Sequence, residues 1–265
     1  MDTAFPTSGT MRILILGGTG EASTLVRSLA GRADLSVTLS LAGRTAAPKP
    51  EPVPTRIGGF GGIEGLADYL KADAIDCLID ATHPFAATMS HHAAYAAALT
   101  AVPLLGIRRP AWTREPGDLW IEVDRMDEAV AALGSAPRRV FLTIGRQEAG
   151  VFAAAPQHTY LARTVEPLGG ILSVPHLTAL EARGPFDVAS EAALMRTSGI
   201  EILVSKNAGG AATYGKIAAA RTLGIPVVLV RRPGKPDVPS VPDAAGALRW
   251  LEAGDHTGSS TLRAV

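Results

Sequence analysis

The chain has 265 residues, 47% of them apolar and 19% charged, with a formal net charge of zero. That balance excludes a disordered chain, and the lack of a long basic stretch excludes a nucleic-acid partner. A single cysteine, Cys77, excludes an intrachain disulfide; there is no Cys/His spacing for a metal, no apolar run of the roughly 20 residues that span a bilayer and no export-signal pattern, so a cytoplasmic protein without a membrane partner is expected.

The first element is the apolar run at 13–16, read as a strand buried on both faces, as in parallel sheets. A glycine turn follows, then a helix over 22–30 and a strand over 36–42. The proline-rich stretch 46–54 is a loop, because proline cannot donate to a sheet ladder. A helix is expected at 62–72, a buried strand at 74–80, and a helix at 84–99 with Pro84 in its first turn. Strands at 102–107 and 119–123 and a helix at 126–133 complete this half.

The pattern then begins again. RRVFLTIGRQEAGVF (138–152) parallels MRILILGGTGEASTL (11–25), and the stretch 77–110 resembles 202–233, both ending Arg-Arg-Pro. Alternating strands and helices argue for βαβ units. The expected fold is α/β: two similar Rossmann-like lobes with mostly parallel sheets and a cleft between them. The expected domains are 11–135, binding a dinucleotide, and 136–253, a second α/β domain on the substrate side. The place of the C-terminal helix at 244–252 is left open by the sequence.

Five segments can carry chemistry. In ILILGGTGEAS, Gly17, Gly18 and Gly20 lie between a buried strand and a helix, where unpaired N–H groups and the helix dipole attract phosphate. The strict G-x-G-x-x-G pattern is not met, since Ser23 takes its last position, and a purely structural turn is the alternative. The second strand ends without the carboxylate that grips ribose hydroxyls in NAD sites; Ser40 and Arg44 instead suit a 2′-phosphate and hence NADPH, unless Arg44 is a solvated loop residue. GGFGG (58–62), with Gly59 and Phe60, either lies against the cofactor or is a linker. In DATHPFA (80–86), Thr82 and His83 follow a buried strand and face either the nicotinamide or the helix they cap. In SKNAGGAATYGK (205–216), Lys206 and Asn207 follow a strand, and Gly209 and Gly210 are expected to open a helix; Arg146 stands where the first half has its glycine turn. Arg146 is a candidate for meeting a substrate carboxylate, and ordinary capping polar residues are the alternative for this segment.

Together these segments resemble the precorrin-6A reductase family of cobalamin biosynthesis, with its cobalt-precorrin-6A counterparts. The resembling stretches are ILGGTGEA, LAGR, GGFGG, DATHPFA and the SKNAGG loop running on to Gly215-Lys216, from about Met11 to Pro233. The resemblance implies NADPH-dependent reduction of a carbon–carbon double bond in a tetrapyrrole, giving precorrin-6B, with hand-over to neighbouring pathway enzymes. Whether the substrate already carries cobalt is left open by these motifs, since such a metal would ride in the ring. It assigns Gly17, Gly18, Thr19, Gly20, Glu21 and Ala22 to the diphosphate turn, and Ser40 and Arg44 to the 2′-phosphate. Thr82, His83 and Pro84 fall to the nicotinamide side, and Lys206, Asn207, Gly209 and Gly210 to the substrate loop. For the polycarboxylated ring so implied, Arg146, Lys206 and Lys216 are candidates for holding carboxylates, and the balancing proton comes from His83, Lys206 or solvent, among which the sequence does not choose. The rival readings are a two-lobed tetrapyrrole cyclase or lyase that uses no cofactor, and a non-enzymatic NADPH sensor.

Overall fold

The computed structural model describes residues 9–43 and 48–254. In chain order the elements are β1 (Met11–Leu16), α1 (Gly20–Leu29), β2 (Leu35–Leu41), β3 (Thr55–Ile57), α2 (Gly62–Ala72), β4 (Cys77–Asp80), α3 (Ala87–Thr100), β5 (Leu104–Ile107), β6 (Trp120–Val123), α4 (Met126–Ala131), β7 (Arg139–Thr143) and α5 (Arg146–Ala149). A short 3-10 helix, Gly150–Ala154, leads to β8 (Thr159–Thr164), β9 (Leu177–Glu181), α6 (Val188–Thr197), β10 (Ile202–Lys206), α7 (Gly215–Leu223), β11 (Val227–Val230), β12 (Ser240–Val241) and α8 (Ala244–Ala253).

The strands form two six-stranded sheets, β12-β5-β4-β1-β2-β3 and β6-β11-β10-β7-β8-β9, and every pairing is parallel. Parallel strands need both faces covered, and β1 shows how its sequence meets that need. Ile13 and Ile15 point into a core shared with α1 and α8, whereas Leu14 and Leu16 point into a core shared with α2 and α3. Burial of each such side chain contributes about 2 kcal/mol. Alanines 93, 94, 96 and 97 let α3 lie close on its sheet.

The two sheets have the same order, β1 corresponding to β7, β4 to β10 and β5 to β11, as the internal parallels anticipate. The division of the chain differs from the expected one at 135/136. One unit holds the described residues up to Arg109 and from Gly234; the other is Pro110–Pro233. β6 extends the sheet of the second unit beside β11, and β12 extends that of the first beside β5. The chain thus leaves each unit at an Arg-Arg-Pro sequence, where proline cannot continue a ladder. The C-terminal α8 belongs to the first unit, with Ala244 and Ala247 buried in the core around α1.

Two helix starts also differ. α3 begins at Ala87, and Pro84 lies in the turn before it. α7 begins at Gly215 rather than at Gly209 and Gly210, which both adopt positive φ in the preceding loop. A Cβ at Gly209 would stand 2.1 Å from the carbonyl oxygen of Pro110 as well as requiring φ near +67°. Gly209→Ala is therefore expected to cost the 110–233 unit roughly 3 kcal/mol. The check is the urea midpoint of that unit's transition, and an unchanged midpoint would refute the tight-approach argument.

Candidate functional site

At the carboxyl end of β1 the chain turns through Gly17, Gly18 and Thr19 into α1. Gly18 has φ +110°, which excludes a side chain without strain. A Cβ on Gly17 would come within 2.5 Å of Leu39, so its absence lets the turn pass close to β2. Thr19 caps the helix: its Oγ1 accepts from the N–H of Ala22 and donates to the carbonyl of Ala81 at 2.8 Å, tying the turn to the end of β4. Among the described residues no acceptor meets the N–H groups of Gly18, Thr19, Gly20 and Glu21, and the added-Cβ directions at Gly18 and Gly20 are open. Such a row of donors at a helix start suits a diphosphate. Glu21 does not stand alone there, because Arg109 donates to both its carboxylate oxygens at 3.0 and 2.9 Å. Ala22 is buried under the turn.

Ser40, buried at the end of β2, is in register with Leu16 and with Arg56 of β3. Its Oγ accepts from Arg56 Nη1 at 3.0 Å. Arg56 also donates to the carbonyls of Gly58 and Gly59 and stacks 3.7 Å from the centre of the Phe60 ring, so the GGFGG loop is organised around this guanidinium rather than being a slack linker. Arg44 lies outside the described residues.

At the end of β4 stands Asp80, with no solvent exposure. One carboxylate oxygen accepts from the N–H and hydroxyl of Thr82 at 3.0 and 2.6 Å; the other accepts from Arg108 Nη2 at 2.6 Å. Lys235 Nζ donates to the Thr82 hydroxyl at 3.1 Å. Burial pushes the Asp80 carboxyl up, but Arg108, Lys235 and the hydroxyls of Ser90 and Thr82 together outweigh it and hold the carboxyl below the ordinary range. His83 is half-buried, and its Nδ1 accepts from the N–H of Phe85 at 3.2 Å. In the neutral ring the proton is then on Nε2, which makes that nitrogen a hydrogen-bond donor.

In the second unit Arg146 is exposed at the start of the one-turn α5. Lys206, at the end of β10, donates to Glu148 Oε1. Asn207 is buried, with both ends of its amide on the backbone of Trp112 at 2.8 and 3.0 Å, so it is a clamp within the fold rather than an open ligand. The carbonyl of Gly210 accepts from Trp112 Nε1. Arg232 donates to the carbonyls of Asn207 and Ala208, fixing the loop from its far side. Lys216 is only 5% exposed, beside the buried Arg163–Glu191 ion pair and 5.4 Å from the Trp112 ring centre. Burial, then the like charge of Arg163, pushes its ammonium down to about 7 against the pull of Glu191. The expected role of Lys216 as an open carboxylate clamp therefore does not match its burial.

Residues 12–252 match the family model described as precorrin-6x reductase CbiJ/CobK. The chain belongs to the precorrin-6x reductase family. A precorrin-6A reductase of Sinorhizobium sp is 56% identical over 244 residues, 91% of this chain and 94% of that protein. One from Rhodobacter capsulatus is 49% identical over 245 residues, 92% of this chain and 96% of that protein. The solved structure titled CobK precorrin-6A reductase superimposes with a TM-score of 0.86 at 47% identity, covering 95% of this chain and 100% of that one. As a member of this reductase family the chain is an oxidoreductase.

Several polar residues of this reductase escape a motif-based reading. Arg108, Arg109, Arg56 and Lys235 stand outside the glycine turn and the DATHPFA and SKNAGG motifs, yet they neutralise or organise them. The repeated Arg-Arg-Pro was the available signal for two of them. Among the described residues no helix is long and apolar enough to cross a membrane, and no His/Cys/Asp/Glu group could hold a metal.

Two outcomes follow from the charges. The Asp80 carboxyl titrates lower folded than unfolded, so its contribution is full above the ordinary carboxylate range and is lost as pH falls through the folded value. Asp80→Asn should cost about 3 kcal/mol at neutral pH, with the deficit shrinking in acid; a constant deficit across an acid series of urea titrations would contradict the pairing. Lys216 is the opposite case. Its folded value lies below the unfolded one, so the unfolded chain binds the extra proton between about pH 7 and 10.5 and stability rises with pH across that window. Lys216→Met should be more stable than the parent near neutrality, and the gap should close as pH approaches 10, as read by thermal unfolding at several pH values.

Proposed function

We propose that this chain reduces a carbon–carbon double bond of a tetrapyrrole with NADPH, converting precorrin-6A to precorrin-6B in cobalamin biosynthesis. The observation that carries the reading is the row of unpaired N–H groups from Gly18 to Glu21 at the opening of α1, in a chain of a reductase family. It is a site for a dinucleotide diphosphate, and it speaks against a cyclase or lyase that uses no cofactor.

When bound, the nicotinamide supplies a hydride. The residues of this chain do the rest. Gly17, Gly18, Thr19, Gly20, Glu21 and Ala22 form the diphosphate turn, and the Thr19 hydroxyl locks it to Ala81. Arg109 cancels the charge of Glu21, which would otherwise repel a phosphate. Ser40 and Arg44 receive the 2′-phosphate, and Gly59 and Phe60 line the adenosine side. Thr82, His83 and Pro84 border the nicotinamide, with Thr82 held in place by Asp80 and Lys235. His83 offers a ring N–H there.

The macrocycle is flat and fringed with carboxylates. Arg146, exposed and without a hydrogen bond or ion pair among the described residues, is suited to a carboxylate. Gly209 and Gly210 keep the SKNAGG loop low, Asn207 fixes its base, and Lys206 presents an ammonium beside Glu148. Lys216 supports this loop from beneath, against Trp112. Hydride addition leaves negative charge on the conjugated ring, and His83 and Lys206 are the groups that can deliver the balancing proton.

The experiment is a fluorescence titration with NADPH together with anaerobic turnover of precorrin-6A. Lys206→Ala should lower kcat/KM for the ring by about 100-fold while the NADPH Kd stays within about twofold. Failure of the parent chain to bind NADPH would remove the reading. Binding without turnover of the tetrapyrrole would favour a sensor instead.

A further inference from the structure

We propose that Arg56 recognises the 2′-phosphate of the dinucleotide and thereby sets the preference of this chain for NADPH over NADH. The inference rests on the dinucleotide reading above and adds to it a residue on β3.

The position is set by the sheet. β2 follows the diphosphate turn and its helix, and the end of such a strand is where a dinucleotide's adenosine ribose lies. Arg56 is the register partner of Ser40 at that end, on the strand next outward from β2. NAD sites put a carboxylate here to accept from the ribose hydroxyls. This chain has no carboxylate at the end of β2 and brings a guanidinium to the same place, so the local chemistry is that of donors awaiting an anion.

The guanidinium is held before any ligand arrives. Three of its five N–H donors are used: Nη1 on Ser40 Oγ and on the Gly58 carbonyl at 3.0 and 2.9 Å, and Nη2 on the Gly59 carbonyl at 3.0 Å. The Phe60 ring backs its plane at 3.7 Å, with Tyr69 beyond at 5.4 Å. All of these partners are neutral. Among the described residues Arg56 has no ion pair, and its Nε–H and second Nη2–H have no acceptor. It is therefore a half-buried, immobilised cation with spare donors and, among the described residues, no ion-pair partner. Arg108 and Arg109, near the same strand ends, are by contrast each matched to a carboxylate. A phosphate dianion supplies the missing charge and accepts the spare N–H bonds, whereas the bare ribose hydroxyl of NADH does neither.

The test measures binding to the full chain, with NADPH and NADH followed by fluorescence and 2′,5′-ADP and 5′-AMP by calorimetry. Arg56→Met should weaken NADPH and 2′,5′-ADP by about 30-fold or more, with NADH and 5′-AMP changed by no more than about threefold. Arg56→Lys should recover only part of the loss, because a point charge lacks the planar fork. The unchanged NADH affinity serves as the check that each variant is folded. An equal loss for all four nucleotides would make Arg56 a mere prop for the GGFGG loop and overturn the proposal, as would unchanged NADPH binding. If the parent chain bound NADPH and NADH equally well, this proposal alone would fall. If it bound neither, the dinucleotide reading would fall with it.

Discussion

A carboxylate without solvent exposure, Asp80, organises the working edge of the first unit. An unpaired ion at that depth would cost several kcal/mol, so the fold must surround it with donors. It does so with elements far apart in sequence: Arg108 after β5, Thr82 after β4, and Lys235 from the segment that returns to this unit. The same constraint explains Gly106, where a Cβ would meet the Arg108 guanidinium at 2.8 Å. Satisfying one buried charge thus aligns the ends of two strands, fixes Thr82, and anchors the chain just after it comes back. The glycine turn after β1 is attached to this edge through Thr19 and Ala81.

The two units are variations on one plan, and they differ most at the turn that follows β1 in one and β7 in the other. Gly18 and Gly145 share a positive φ, and Glu21 and Glu148 each meet a cation, Arg109 and Lys206. Yet Ile144 replaces Gly17, Arg146 replaces Thr19 and Gln147 replaces Gly20. α5 lasts one turn before the backbone tightens to 3-10. Side chains thus stand where the first unit has glycine, and so short a helix has little dipole to offer an anion. What remains at the place of the turn is an exposed arginine, Arg146.

Charge matching extends the same logic to the residues that do not react. Arg163 and Glu191 pair inside the second unit with Arg163 stacked on Phe186, and Lys216 sits beside them with its charge weakened by burial. Asn207 and Arg232 spend their polar groups on the backbone of Trp112 and on the carbonyls of the SKNAGG loop. This loop is specific in sequence largely because its shape needs these fixed partners, and only some of its residues face outward.

The α/β class, most elements and the doubled plan were legible in the sequence, because buried parallel strands are continuous apolar runs and Gly-Gly-Thr-Gly after the first of them has few uses. The glycine turn, the DATHPFA strand end and the SKNAGG loop were legible for the same reason: each is a local pattern enforced by local backbone demands. Tertiary structure alone decided the rest. The boundary at Arg109 and Pro233, the exchange of outer strands β6 and β12, and the place of α8 depend on which edge is open for pairing, a contest between distant segments that no local pattern records. The partners of Asp80 and of Glu21, the burial of Lys216 and the neutral partners of Arg56 were hidden likewise, since a charged group's partner is set by proximity in space and many arginines fit the sequence equally well.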